Sequence, residues 1–388
     1  MNVMKVAIAS RVHPASVGGL AAYQRELAAG LQTFQNVNTC FLSVQHSGSS
    51  DSEKTRQLKW PVSDLMSQSA WDRQFRLVSR LASRTKLLGI ADSLSNMMNN
   101  QGSWSPASCE ADVLHFVGTG WDIIGYPLWR QARKAGVPFT VWPAVHPKNW
   151  GDAAFDVRLY QKADAVFCQS DYERSHLASL GVPANKLFRC GLPPMCQTAG
   201  NAHTLRSRLE IGNRPTVLFL GRRDVGKGYP ALLDAWPLVL QKCPDAVLLI
   251  AGPGDADHAR LSNIPATSYR DLGCPSEQEK ADAYAACDMF CMPSSHESFG
   301  IVYVEAWSYG KAVICGTAPA SRELVEDGVT GLWSDQQPKQ LAHCLLRLLT
   351  APDLCRSIGQ AGLRHQQSHY TAQNMVSMHL SSWSALSN

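Results

Sequence analysis

Short apolar, β-branched runs recur along this chain at intervals filled by longer helical patterns, and this alternation limits the fold more than any other feature. In the first half the runs are VMKVAIAS, TCFLSV, ADVLHF, PFTVW and AVFCQS. In the second they are TVLFLG, AVLLIAG, DMFCMPS and AVICGT. They read as continuous apolar stretches, which suits strands of parallel sheets covered on both faces by helices. Between the halves lies CGLPPMCQTAGNAH, a Gly- and Pro-rich linker at 191–203. The expected fold is therefore α/β, with two doubly wound domains, 1–195 and 196–371, facing a cleft. Ligands of such domains bind at the carboxyl ends of the strands.

Composition narrows the classes. A chain of 388 residues, 45% apolar and 18% charged, can bury two cores. Its net charge of +4 is too small to imply nucleic acid. The opening MNVMKVAIAS reads as a first strand instead of a signal peptide, and no run of ~20 apolar residues offers a membrane span. The twelve cysteines are scattered, and those inside strand-like runs, such as Cys168, Cys291 and Cys315, point to buried thiols and a cytoplasmic location. Cys287 and Cys291 lack the partner pair that a zinc site would need.

Residues 45–110 break the rhythm. Two polar loops flank WDRQFRLVSRLASRTKLL, in which Trp71, Phe75, Val78 and Ala82 share one helical face and Arg73, Arg76, Arg80 and Arg84 the other. Over 54–90, eight cations face two acids, a net +6. Such a helix either packs its apolar face on its own domain and leaves the arginines solvated, or offers them to an anionic acceptor or an anionic membrane.

The stretch TVLFLGRRDVGKGYPALLDAW runs from strand through Gly221 into a helix after Gly228, and delivers Arg222 and Lys227 to a strand end. A triphosphate loop would need Ser or Thr where Gly228 stands, and the next strand ends without an acidic metal ligand. Two solvated cations are one alternative, and a diphosphate clamp working without metal is another. Downstream, SSHESFGIVYVEAWSYGKAVI places Glu297 on a loop and Glu305 in the first turn of a helix that begins at Phe299, Gly300 and Ile301. The free N–H groups of that helix end suit a phosphate, and the carboxylates suit sugar hydroxyls. Together they fit a nucleotide sugar, whereas the plainer reading makes the glutamates complements to the helix dipole.

The second half resembles the family-four retaining glycosyltransferases of GT-B architecture (glycosyl transferases group 1). The resemblance rests on FLGRRDVGKG, LLIAGPGD, MPSSHESFGIVYVEAWSYGKAVI and SRELVEDGVTGLW, in order across 216–335. SVGGLAAYQRELAAGL, ADVLHFVG and KADAVFCQSDYERSHLASLGVP extend it more loosely into the first half. The resemblance implies two Rossmann-like domains, acceptor domain first and nucleotide-sugar domain second, with a last helix at 372–388 crossing back. It implies that Arg222 and Lys227 contact the donor diphosphate, Glu305 the ribose and Glu297 the transferred sugar. Phe299, Gly300 and Ile301 would face the phosphates or sugar, and Gly18, Gly19 and Gly252 would line the donor site. The implied activity is metal-independent hexosyl transfer with retention and no cofactor, from a nucleoside-diphosphate sugar, UDP by family frequency. A glycan, lipid-linked or small-molecule acceptor belongs to the same expectation, while peripheral contact with the inner face of the membrane is expected from the charge of 54–90.

Departures from the pattern are specific. His146, in VWPAVHPKNW, lies a couple of residues beyond the spacing of the family's sugar-contacting histidine, and a solvated loop histidine is the alternative. Gly191-Leu192-Pro193 replaces Gly-Val-Asp, and Lys311 replaces a frequent Pro. Asp255-Ala256-Asp257 forms the D-x-D of metal-dependent transferases of another fold, but it follows AGPG in a turn, where acids commonly cap. A sugar-nucleotide 2-epimerase and a catalytically silent nucleotide-sugar binder are the rival functions.

Overall fold

A computed structural model describes residues 3–16, 18–34, 36–44, 55–58, 110–120, 122, 124–196 and 198–386. The chain divides into two units, Met1–Gly191 with Ala372–Asn388, and Leu192–Thr371. Of the basic segment 54–90, only the backbone of a short strand is described, and the amphipathic helix expected there lies outside the described residues.

In the first unit the strands are β1 (Met4–Ser10), β2 (Val37–Val44), β3 (Thr55–Leu58), β4 (Val113–Val117), β5 (Phe139–Trp142), β6 (Ala165–Cys168) and β7 (Leu187–Arg189). They form one parallel sheet in the order β3-β2-β1-β4-β5-β6-β7, with Ile8 beside both Phe41 and His115. Helices α1 (Gly19–Gln32), α2 (Gly125–Ala135), α3 (Ala154–Lys162) and α4 (Asp171–Ser179) connect strands of this sheet. The order reverses direction between β1 and β4, which is the switch point where doubly wound sheets bind ligands.

The second unit repeats the scheme. Its strands β8 (Thr216–Leu220), β9 (Val247–Ala251), β10 (Tyr269–Asp271), β11 (Met289–Met292), β12 (Ala312–Cys315) and β13 (Gly331–Trp333) are ordered β10-β9-β8-β11-β12-β13, all parallel. Around them lie α5 (Ala202–Arg208), α6 (Tyr229–Leu240), α7 (His258–Leu261), α8 (Glu277–Ala286), α9 (Ile301–Ser308), α10 (Pro319–Leu324), α11 (Pro338–Leu349) and α12 (Pro352–His369). Strands β9, β11 and β12 are buried at every position, which is why each reads as an unbroken apolar run. The fold is α/β with two Rossmann-like sheets, as the alternation of runs requires.

The last helix, α13 (Ala372–Leu386), belongs to the first unit. Its buried residues Met375, Val376, His379, Ser382 and Trp383 recur at helical spacing and form one stripe. Gly30 of α1 lets it approach closely, since a Cβ there would sit 2.6 Å from Val376 Cγ2. Among the described residues the cysteines are free thiols, and Cys168, Cys291 and Cys315 are buried with their thiol pKa values pushed up by burial. No described helix is long and apolar enough to cross a membrane.

Candidate functional site

In the second unit the loops leaving β8 and β11 meet at the switch point of the sheet. They are bound to each other through the backbone. The Ser295 N–H donates to the Gly226 carbonyl at 2.8 Å, and the buried Ser294 hydroxyl lies 3.0 Å from the carbonyls of Gly226 and His296. Gly228 takes the left-handed conformation (φ 75°) against Pro293, where a Cβ would stand 2.6 Å from the Pro293 carbonyl oxygen. The position that a triphosphate loop needs for a magnesium-binding hydroxyl is therefore spent on a glycine turn.

The β8 loop gives its three cations different surroundings. Arg222 leaves 69% of its side chain exposed, 3.5 Å from Asp224. Its neighbour Arg223 is 4% exposed, and both of its terminal nitrogens bind the Asp271 carboxylate at the end of β10. Burial alone would raise the Asp271 carboxyl, but Arg223 and the Gly273 N–H outweigh it and hold the group below its ordinary value. Asp224 accepts the Lys227 N–H at 2.9 Å and so winds 225–227 into a single tight turn. That turn aims Lys227 Nζ at Glu297 Oε1, 2.5 Å away, with the His296 carbonyl at 3.5 Å.

Helix α9 starts from Gly300 (φ 96°), directly after the loop that carries Glu297, and no side chain caps its first N–H groups. Phe299 is buried, its ring edge-to-face with that of Tyr370 at 5.6 Å. With Ile301 as first residue, Glu305 lies in the second turn and not the first, so the helix end carries no acid of its own. Glu305 is nearly closed off: the Tyr284 hydroxyl donates to Oε2 at 2.8 Å and Lys280 Nζ lies 3.5 Å from Oε1. Gly252, in the loop after β9, has φ 117°, and a Cβ there would come within 2.1 Å of the Gly221 oxygen. Asp257 caps α7 and pairs with Arg260 at 2.7 Å, which accounts for the second acid of the D-x-D triplet.

The structure thus brings Arg222, Lys227, Glu297, Phe299, Gly300, Ile301 and Glu305 onto neighbouring elements of one unit. Gly18, Gly19 and His146 belong to the other unit. Gly18 (φ 127°) precedes α1, which starts at Gly19, and a Cβ on either would meet nothing. His146 closes a short turn, its backbone bonded to Trp150 in both directions at 2.9 Å. The preceding residue Val145 is held by the buried Glu173, which accepts the N–H groups of Val145 (2.7 Å) and Gln169 (2.6 Å). Sequence reasoning passed over Glu173, although Ser170-x-x-Glu173 has capping-box spacing before α4.

The family model described as Glycosyl transferases group 1 matches residues 214–351. A phosphatidyl-myo-inositol mannosyltransferase of Mycobacterium tuberculosis is 43% identical over 134 residues, 34% of this chain and 35% of that protein, so the match spans about a third of that relative's length. The GDP-mannose-dependent alpha-(1-6)-phosphatidylinositol monomannoside mannosyltransferase of Mycolicibacterium smegmatis is 31% identical over 279 residues, 65% of this chain and 72% of that one. Among solved structures, sucrose-phosphate synthase from Thermosynechococcus elongatus matches the fold with a TM-score of 0.74 at 17% identity, covering 99% of both chains. From the matched motifs, the length of the smegmatis match and the GT-B fold, this chain belongs to the glycosyl transferases group 1 family.

Proposed function

We propose that this protein transfers mannose from GDP-mannose to a phosphatidylinositol-based lipid acceptor, with retention of configuration and without a bound metal ion. The observation that carries the reading is the 31% identity over 72% of a relative named for that donor and that class of acceptor. It replaces the UDP donor expected from family frequency, for which no residue of this chain speaks. In this reading Arg222, Lys227 and the N–H groups of Phe299, Gly300 and Ile301 stabilise the departing diphosphate. Lys227 has three N–H donors, and its bonds to Glu297 and His296 leave one for a phosphate oxygen. Fixed cations and helix N–H groups act most strongly where charge develops, here on the leaving group. Glu305 takes the ribose, Glu297 the transferred sugar, Gly18 and Gly19 give the donor room, Gly252 lets the loop after β9 close against Gly221, and His146 lies on the acceptor unit. A lipid acceptor calls for contact with a membrane surface at the cytoplasmic side, for which the basic segment 54–90 is suited by charge.

The test is transfer itself. The protein is incubated with radiolabelled GDP-mannose or UDP-glucose and vesicles containing phosphatidylinositol, and the lipid fraction is counted. Label is expected in the lipid from GDP-mannose, unaffected by chelator. Transfer from UDP-glucose alone would overturn the donor. An epimerised nucleotide sugar formed without acceptor would overturn transfer in favour of an epimerase.

A further inference from the structure

Lys280 and Tyr284 stand one turn apart on α8 and therefore on the same helix face. Both reach Glu305 of α9. We propose that Lys280 is a positioning residue for nucleotide binding, holding the buried Glu305 carboxylate charged and turned toward the ribose hydroxyls, with Tyr284 as its second support. This rests on the reading of Glu305 as the ribose ligand.

The geometry supports it at each atom. Glu305 exposes 3% of its side chain, so its charge is costly unless compensated. Tyr284 donates to Oε2 and Lys280 stands at Oε1, which uses two of the four lone-pair directions and leaves two for hydroxyl donors. Burial pushes the Glu305 carboxyl up, and Lys280 and Tyr284 oppose that push. Lys280 remains charged for the matching reason: burial would lower it, but Glu305 and Glu277 raise it above the ordinary lysine value. Among the described residues, the other titratable groups around Glu305 are Glu277 on α8, Tyr309 stacked on Tyr284 at 5.5 Å, and Cys196 beside the Tyr309 hydroxyl at 3.6 Å, with Asp282 acting in turn on Tyr309. All of these are neutral or negative, so the compensating positive charge comes from Lys280. A protonated Glu305 would keep its place but lose acceptor strength, and with it the grip on two hydroxyls.

The experiment is calorimetric titration of GDP into wild type, Lys280→Met, Lys280→Arg, Tyr284→Phe and Glu305→Gln at several pH values. The ratio of wild-type to variant affinity at each pH cancels the titration of GDP itself. Without Lys280 the burial of Glu305 is opposed by Tyr284 alone, so its pKa rises and the protonated fraction grows as pH falls. For Lys280→Met the ratio should be within about threefold near pH 8 and widen to at least ~10-fold near pH 6, since a protonation-linked loss approaches tenfold per pH unit. Lys280→Arg should restore a flat ratio, and Tyr284→Phe should show the same trend more weakly. Glu305→Gln should weaken GDP binding by a ratio independent of pH. A constant ratio for both Lys280→Met and Tyr284→Phe, with Glu305→Gln impaired, overturns the proposal while sparing the ribose reading. Wild-type affinity in Glu305→Gln overturns both.

Discussion

Tyr23 and His379 are 356 residues apart in sequence, yet the tyrosine hydroxyl lies 2.8 Å from His379 Nε2 in the core of the first unit. The bond is one step of a directed chain. The Met375 carbonyl can only accept, so His379 Nδ1 carries the proton there (2.8 Å) and Nε2 accepts from Tyr23. Tyr23 in turn receives His115 Nε2–H at 3.0 Å, and His115 Nδ1 accepts from the Thr140 hydroxyl at 2.9 Å. Trp383 Nε1–H donates to Thr140 at 3.2 Å. The chain begins and ends on α13, and every donor in it has an acceptor only while both imidazoles are neutral.

That arrangement fixes a pH dependence. Burial holds His115 well below the ordinary histidine value, and burial lowers His379 to about 4. In the unfolded chain both titrate near 6.5, so between that pH and about 4 the unfolded state binds protons that the folded state refuses. Stability is therefore present in full above the unfolded value and is lost as pH falls through the window. For His379 alone the loss is on the order of 3 kcal/mol, a sizeable part of ordinary domain stability. Urea midpoints of wild type should fall steeply on acidification below neutrality. His379→Gln should start lower and fall less, and equal slopes for the two would contradict the chain.

The sequence exposes this network poorly. His115 is visible as a polar residue inside the apolar run ADVLHF, but its partners come from α1, β5 and α13, and only folding brings them together. Strands show the same limit. The nine runs read as strands are all strands, while the four passed over, β3, β7, β10 and β13, are the outer strands of the two sheets. Edge strands are short and, in β7 and β10, only partly buried, so they lack the continuous apolar run that betrays a central strand. Site motifs were more legible because they sit between central strands and short helices at fixed spacing. What the motifs did not convey is which cation is buried and which is free to meet a ligand.

Adjacent arginines make that difference testable. Arg222→Ala should lower turnover by at least ~10²-fold, the scale for loss of one transition-state charge stabiliser, with no change in unfolding midpoint. Arg223→Ala should instead cost roughly 3 kcal/mol of stability, because it leaves Asp271 without its partner. Lys227→Ala should do both in part, since Glu297 is buried against it. Normal turnover in Arg222→Ala would remove the clamp from the mechanism.

Two glycines expected in the donor site separate folding from binding. Gly252→Ala combines a positive φ with a Cβ 2.1 Å from a backbone oxygen that cannot move aside. It should cost at least ~3 kcal/mol and abolish nucleotide binding through loss of the second unit. Gly18→Ala has strain without a clash and should cost only about 1–2 kcal/mol. Thermal unfolding of both variants, with and without GDP, checks the contrast, and equal losses would refute it.

Glu173→Gln tests whether the loop carrying His146 is held from beneath. The carboxylate accepts the Val145 N–H, after β5, on one oxygen and the Gln169 N–H, after β6, on the other. Glutamine has the same shape but presents one acceptor and one donor, so one of these N–H groups would face another N–H in a buried site. The cost is about 1–3 kcal/mol for the orphaned group, and its location is the end of the loop next to His146. Since Glu173 and His146 lie in the first unit, affinity for GDP at the second unit's site should stay within about twofold, while turnover falls at least ~10-fold. His146→Ala should lower turnover by a similar amount, and the double variant should do little worse than either single one, because both act on the same loop. Fully additive losses in the double variant would show that Glu173 acts through stability alone and not through the placement of His146.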